Sequence, residues 1–110
     1  MVMTGARPPF DISYAGMTQA HLRAIDARYH RLIQTTIEAR LSHEPDVEAR
    51  NRKPLRREAG AAGTWELRFG PDNRFRVLYD VEPRKRRIVI LAIGIKLRGR
   101  LFIGGEEVEL

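Results

Sequence analysis

Apolar residues recur along this chain with two different periods, and the changes of period divide it into elements. Phe10-Asp11-Ile12-Ser13-Tyr14 alternates apolar and polar, which predicts a short strand after a frayed start over Met1 to Pro9. From Thr18 the spacing becomes three and four, through Leu22, Ile25, Tyr29, Leu32, Ile33, Ile37 and Leu41, one face of a helix. Thr18 is a candidate N-cap, and Asp26 would cap a second helix if the chain kinks near Ile25. No Gly or Pro forces that break, so one long helix is the alternative. Ser42-His43-Glu44-Pro45 ends the helical pattern. Asp46 to Gly63 has no period and reads as a polar, basic loop.

Alternation returns in Trp65, Leu67 and Phe69, separated by Glu66 and Arg68. Gly70-Pro71-Asp72-Asn73 is a cluster of turn residues, and Phe75, Val77, Tyr79 and Val81 then alternate again, so a hairpin is predicted. Glu82 to Arg87 is a second reversal. Ile88 to Ile93 is apolar at every position, as in a central strand covered on both faces. Leu101-Phe102-Ile103 is a short extended piece, and Gly104 to Leu110 an acidic tail. The order of elements predicts one α+β domain over residues 1–110. Its small sheet of about four strands should carry the helical segment on one face. Its core should draw Trp65, Leu67, Phe75, Val77, Ile90 and Ile93 from the sheet, and Leu22, Ile25, Ile33 and Ile37 from the helices.

Composition narrows the function classes. The 110 residues suffice for one core but not two. Twenty Lys and Arg against 14 Asp and Glu give +6 at pH 7, which favours polyanions or an acidic protein partner. The absence of cysteine excludes disulfides and thiolate chemistry. The opening MVMTGARPPF has no apolar signal core, and the longest apolar run is too short to span a bilayer, so a cytoplasmic protein without membrane contact is expected. His21, His30 and His43 lack metal-ligand spacing, and no GxSxG elbow occurs. No metal or other cofactor is implied.

What remains is basic side chains on or beside a sheet. Because successive strand residues point to opposite faces, one face of the hairpin is apolar and the other carries Glu66, Arg68, and Arg74 or Arg76. Such a face can hold phosphate, or can simply be solvated; Arg76 could equally pair with Glu66 or Asp80 across the hairpin. Read as exposed, Arg76 should change stability by no more than about 0.5 kcal/mol when truncated. Arg50, Lys53 and Arg56 concentrate charge in the preceding loop, whereas Arg23, Arg28, Arg31 and Arg40 read as the solvated face of the helix. RNA cleavage needs a deprotonated 2′-hydroxyl, stabilised phosphate charge and a protonated leaving oxygen. Cations meet the second need directly, but arginine stays protonated and is no base.

The segments WELR, NRFRVLYDV, ILAIGIK and RLFIGGEE, preceded by LSHEP and ARNRKPL, resemble the RelE/ParE superfamily of bacterial toxins from about Leu22 onward. That resemblance implies a compact α+β toxin of a type II toxin–antitoxin pair, with a RelE-like, mostly antiparallel sheet of about four strands and two N-terminal helices packed on one face, inactive while its cognate antitoxin covers the basic surface. RelE-type members cut mRNA on the ribosome, whereas ParE-type members poison DNA gyrase. By the resemblance, Arg76 falls on the arginine that contacts the scissile phosphate, and Arg68 on a lysine of the first hairpin strand. Lys96, with Arg98 close by, takes the place of another cation. These four are the implied catalytic residues, with Arg50, Lys53, Arg56 and Arg74 as RNA-binding ones. Two positions depart from the pattern: Glu66 stands where a further lysine would be, and Phe102 near a tyrosine. The expected activity is a metal-independent mRNA endoribonuclease. Gyrase inhibition and a non-catalytic basic binding module are the alternatives.

Overall fold

The computed structural model describes residues 8–55 and 64–109. Most of the expected frayed start and the second half of the basic loop, Arg56 included, lie outside the described residues. The expected first strand is β1 (Asp11–Tyr14). The helical region breaks at Ile25: α1 (Thr18–Arg23) has six residues, and the main helix α2 (His30–Leu41) twelve. Between them lies a single 3-10 turn, Ala27–Tyr29, and the Asp26 carboxylate accepts from the Arg28 N–H to start it. The Asp26 cap therefore serves this turn rather than α2 itself. Thr18 lies within α1 instead of capping it, and its hydroxyl donates to the Ala15 carbonyl. Ile33, Ile37 and Leu41 form the buried stripe of α2, while Leu32, on its flank, is exposed.

Seven strands appear among the described residues where about four were expected. β3 (Thr64–Phe69) and β4 (Phe75–Glu82) form the predicted hairpin, and β5 (Arg87–Leu97) and β6 (Arg100–Ile103) continue it. The additions are β2 (Arg52–Pro54) and β7 (Glu106–Val108), at the two ends of the order β2-β3-β4-β5-β6-β7. Both are three-residue, charged edge strands, which carry too little apolar period to be read from sequence. β5 is the spine. β4 runs antiparallel along one edge, and the other is shared between β1, parallel at Arg87–Ile90, and β6, antiparallel at Gly94–Leu97. The His21 ring reaches into the interval between them, where its Nδ1 accepts from the Ile93 N–H at 3.2 Å. Burial lowers the His21 pKa, which keeps that nitrogen free to accept.

A bulge explains why the β5 run shows no alternation. Leu78 pairs with Ala92 but Tyr79 with Ile90, so Leu91 is an extra residue and the phase reverses across it. Ile88 and Ile90 below the bulge, and Ile93 and Ile95 above it, thus face the same core. The intervening Val89, Leu91 and Ala92 are half-buried, so this strand is fully covered on one face only. Of the expected core residues, Leu67, Phe75, Val77, Ile90, Ile93, Ile25, Ile33 and Ile37 are buried, and Trp65 and Leu22 pack at its margin. Tyr79 is buried with them, its hydroxyl donating to the Pro45 carbonyl at 2.7 Å.

Candidate functional site

The helices cover one face of the sheet, and the alternation of β3 and β4 sends Glu66, Arg68 and Arg76 to the other. Arg68 and Arg76 are direct cross-strand partners, and Lys53 on β2 lies opposite Glu66. On the far side of β4, Arg76 neighbours Gly94, where an added Cβ would lie 2.8 Å from the Phe102 carbonyl oxygen. Lys96 lies two residues further on, and its backbone N–H donates to the Arg74 carbonyl. These residues open into a cleft of about 620 Å³, bounded on its other side by Leu101 and Val108.

Like charges side by side on a sheet repel, and Glu66 removes the conflict. It is 1% exposed, accepts from Arg68 Nε at 2.7 Å, and has its second oxygen 3.5 Å from Arg76 Nη1. Arg76 Nε donates to the Asn73 carbonyl at 3.1 Å. Arg76 is 9% exposed, so it is not the solvated side chain expected from sequence. Its truncation would leave a buried carboxylate partly uncompensated, at a cost of roughly 1–3 kcal/mol rather than a negligible one. Asp80, the other partner considered for Arg76, instead accepts from the Thr64 hydroxyl. The arrangement presents fixed guanidinium groups to an anion while its own carboxylate lies underneath.

Of the expected site residues, Arg68, Arg76, Lys96 and Lys53 line this one cleft. Arg98 does not. It occupies the Arg98-Gly99 tip of the β5–β6 hairpin, with φ near +53°, beyond the cleft wall. Arg74 closes the turn before β4, its Nε donating to the Pro71 carbonyl at 3.3 Å. Arg50 lines a separate cavity at the end of α2. Phe102 pairs with Ile95 on the helix-bearing face, so it cannot stand in the cleft as the tyrosine of the pattern would. Sequence reasoning missed Arg100, which reaches the cleft and lies 3.7 Å from Glu107. Its only signal was its place next to the Gly99 turn. Among the described residues no three His, Asp or Glu side chains converge as metal ligands, and no helix is long and apolar enough to cross a membrane.

No protein-family model matches this chain, and no curated protein matches it. A solved structure does. A chain in the crystal structure of the toxin–antitoxin complex RelBE2 from Mycobacterium tuberculosis superposes over 83% of this chain and 95% of its own length, with a TM-score of 0.66 and 26% sequence identity. The resemblance carried by the hairpin and β5 motifs therefore extends through the three-dimensional structure, and the chain has the RelE-like fold of the RelE/ParE superfamily.

Proposed function

We propose that this chain is the toxin of a type II toxin–antitoxin pair and acts in the cytoplasm as a ribosome-dependent mRNA endoribonuclease. The observation that carries this reading is the convergence of Arg68, Arg76, Lys96 and Lys53 in one cleft on the face of a RelE-like sheet opposite the helices. In the proposed reaction the 2′-oxygen attacks the adjacent phosphorus, the bond to the 5′-oxygen breaks, and a 2′,3′-cyclic phosphate results. Arg76, held by Glu66 and Asn73, stabilises the charge that develops on the phosphoryl oxygens. Arg68 orients the backbone through its planar fork. Lys96 gives a proton to the departing 5′-oxygen, and the 2′ proton passes to water. The cations of the chain supply the charge stabilisation, so the scheme is metal-independent. A cognate antitoxin with an acidic toxin-binding segment would complement the +6 charge and cover the cleft.

A second reading has its own support. Arg68 and Arg76 already face Glu66, Arg100 lies 3.7 Å from Glu107, and among the described residues no aromatic side chain lines the cleft to stack a base. That favours ParE-like inhibition of DNA gyrase, without catalysis. Expression of the chain alone should arrest growth, with relief by its antitoxin, and transcript ends mapped on translating ribosomes should show new cuts within codons. Arrest with DNA damage signalling and intact transcripts would replace the first reading by the second.

A further inference from the structure

We infer that a second phosphate-binding subsite at the C-terminal end of α2 continues the cleft into a track for single-stranded RNA. The inference rests on the endoribonuclease reading and extends it to where the strand runs beyond the cut.

The chain builds this place deliberately. After α2 ends, Ala49 and Arg52 close a tight turn through two backbone hydrogen bonds of 2.7 and 3.2 Å, with Arg50 and Asn51 at its tip. The Arg52 guanidinium folds inward, Nη1 donating to the Arg40 carbonyl at 2.9 Å and Nε to the Val47 carbonyl at 2.8 Å. It thereby ties the turn to the helix and offsets the partial negative charge of the helix end. Arg40 and Arg50 are left exposed, and their guanidinium groups make no hydrogen bond or ion pair among the described residues. They flank a cavity of about 520 Å³ completed by Asn51 and Asn73, with no acidic side chain among the described residues of its lining.

Contrast with the cleft gives the cavity its meaning. There Arg68 and Arg76 are neutralised from below by Glu66; here two exposed cations have no acidic partner among the described residues. Hydrogen bonds join the two sites. The Asn51 carbonyl accepts from the Arg68 N–H at 2.8 Å, and the Asn73 carbonyl from Arg76 Nε at 3.1 Å. The asparagines that line the second cavity are thus bonded to the Arg68 backbone and to the Arg76 guanidinium of the first. A strand whose scissile phosphate lies at Arg76 can pass over Asn73 and Asn51 and set a neighbouring phosphate between Arg40 and Arg50.

The test uses the full chain and uncleavable 2′-O-methyl RNA oligonucleotides of two to ten residues, with affinity measured by fluorescence anisotropy across a salt series. The parent should bind more tightly as length increases. In Arg40→Ala/Arg50→Ala that gain should vanish, and the slope of log affinity against log salt should become shallower by about 0.7 per lost phosphate contact. The shortest oligonucleotides, which fill only the cleft, should bind both proteins alike. Arg40→Lys/Arg50→Lys should restore most of the slope. Arg50→Ala alone, at a turn tip, gives a folded check should the double variant be unstable, and should lose about half the effect. Parental length dependence and slope in the folded variants would overturn the subsite while leaving the cleft reading intact. A parent that binds no free RNA of any length would overturn the subsite but not ribosome-dependent cleavage, which transcript ends mapped on translating ribosomes test separately.

Discussion

The two faces of the β3–β4 hairpin are built from alternating residues of the same two strands, and both are buried, yet they are held together differently. On one face Leu67, Phe75, Val77 and Tyr79 are fully buried against the helices. On the other Glu66 is 1% and Arg76 9% exposed, with no helix above them among the described residues. Apolar burial stabilises in proportion to area, at roughly 25 cal/mol per Å². Buried charge first loses its hydration, and its pairing only offsets that loss. The apolar face is therefore where stability resides. The charged face contributes little net stability, but it fixes two guanidinium groups that would otherwise be mobile and mutually repelled. Burial alone does not separate core from site; the chemistry of what is buried does.

The largest effect should come from the apolar face. Leu67→Ala removes a fully buried side chain from the centre of the sheet and should cost about 2–5 kcal/mol, measured by urea denaturation. The RNA affinity of the fraction that remains folded should be unchanged. A loss of less than about 1 kcal/mol would mean that the hairpin does not depend on this face, and would break the contrast.

On the charged face the order should invert, with function suffering more than folding. Arg76→Ala should slow cleavage by roughly a hundredfold or more, the scale seen when one preorganised charge-stabilising donor is lost. Its stability cost should stay near 1–3 kcal/mol because Arg68 still faces Glu66. Arg76→Lys should recover only part of the rate, since a point charge replaces a planar fork. Glu66→Gln sharpens the assignment. It raises the formal charge by one and releases both guanidinium groups, so RNA should bind more tightly while cleavage slows. If Glu66→Gln cleaves at the parental rate, the carboxylate does not position Arg76.

How much of this was legible follows from the same contrast. Alternation in β3 and β4 needs only apolar residues at every second position, so the hairpin, its register and most of its core could be read directly. The β5 phase could not, because the extra residue Leu91 fills the run with apolar side chains on both sides of the bulge. β2 and β7 were hidden by their charges. In the site, the shared face of Arg68 and Arg76 followed from parity, whereas the cleft that takes in Lys96 and Lys53 but not Arg50, Arg74 or Arg98 shows only in the structure. The exposure of Arg76 did not follow. Whether an arginine is solvated depends on the carboxylate beneath it and on the carbonyl of Asn73, a contact set by the turn rather than by spacing. Sequence proximity likewise grouped Arg98 with Lys96, although Lys96 lines the cleft and Arg98, at the hairpin tip, does not.

That last separation yields the smallest expected effect and the finest test of the site's boundary. Arg98 adopts φ near +53° at the first position of a two-residue hairpin turn, followed by Gly99 at +78°. This is the backbone pattern of a type I′ turn, which favours Asn or Gly at the first position. A side chain with a Cβ is strained there, so Arg98→Gly should relieve strain while loosening the unfolded chain. The two effects oppose, and the net change in stability should stay within about 0.5 kcal/mol. Because Arg98 lies outside the cleft lining, its removal should leave cleavage within about twofold of the parent, whereas Lys96→Ala, with the lysine inside it, should lower the rate by at least tenfold. Growth arrest and transcript-end mapping with the two variants side by side decide the matter. Equal loss in both would place the hairpin tip in the site and move its boundary past Gly99; loss in Lys96→Ala alone would confine the chemistry to the face on which Glu66 holds its two arginines.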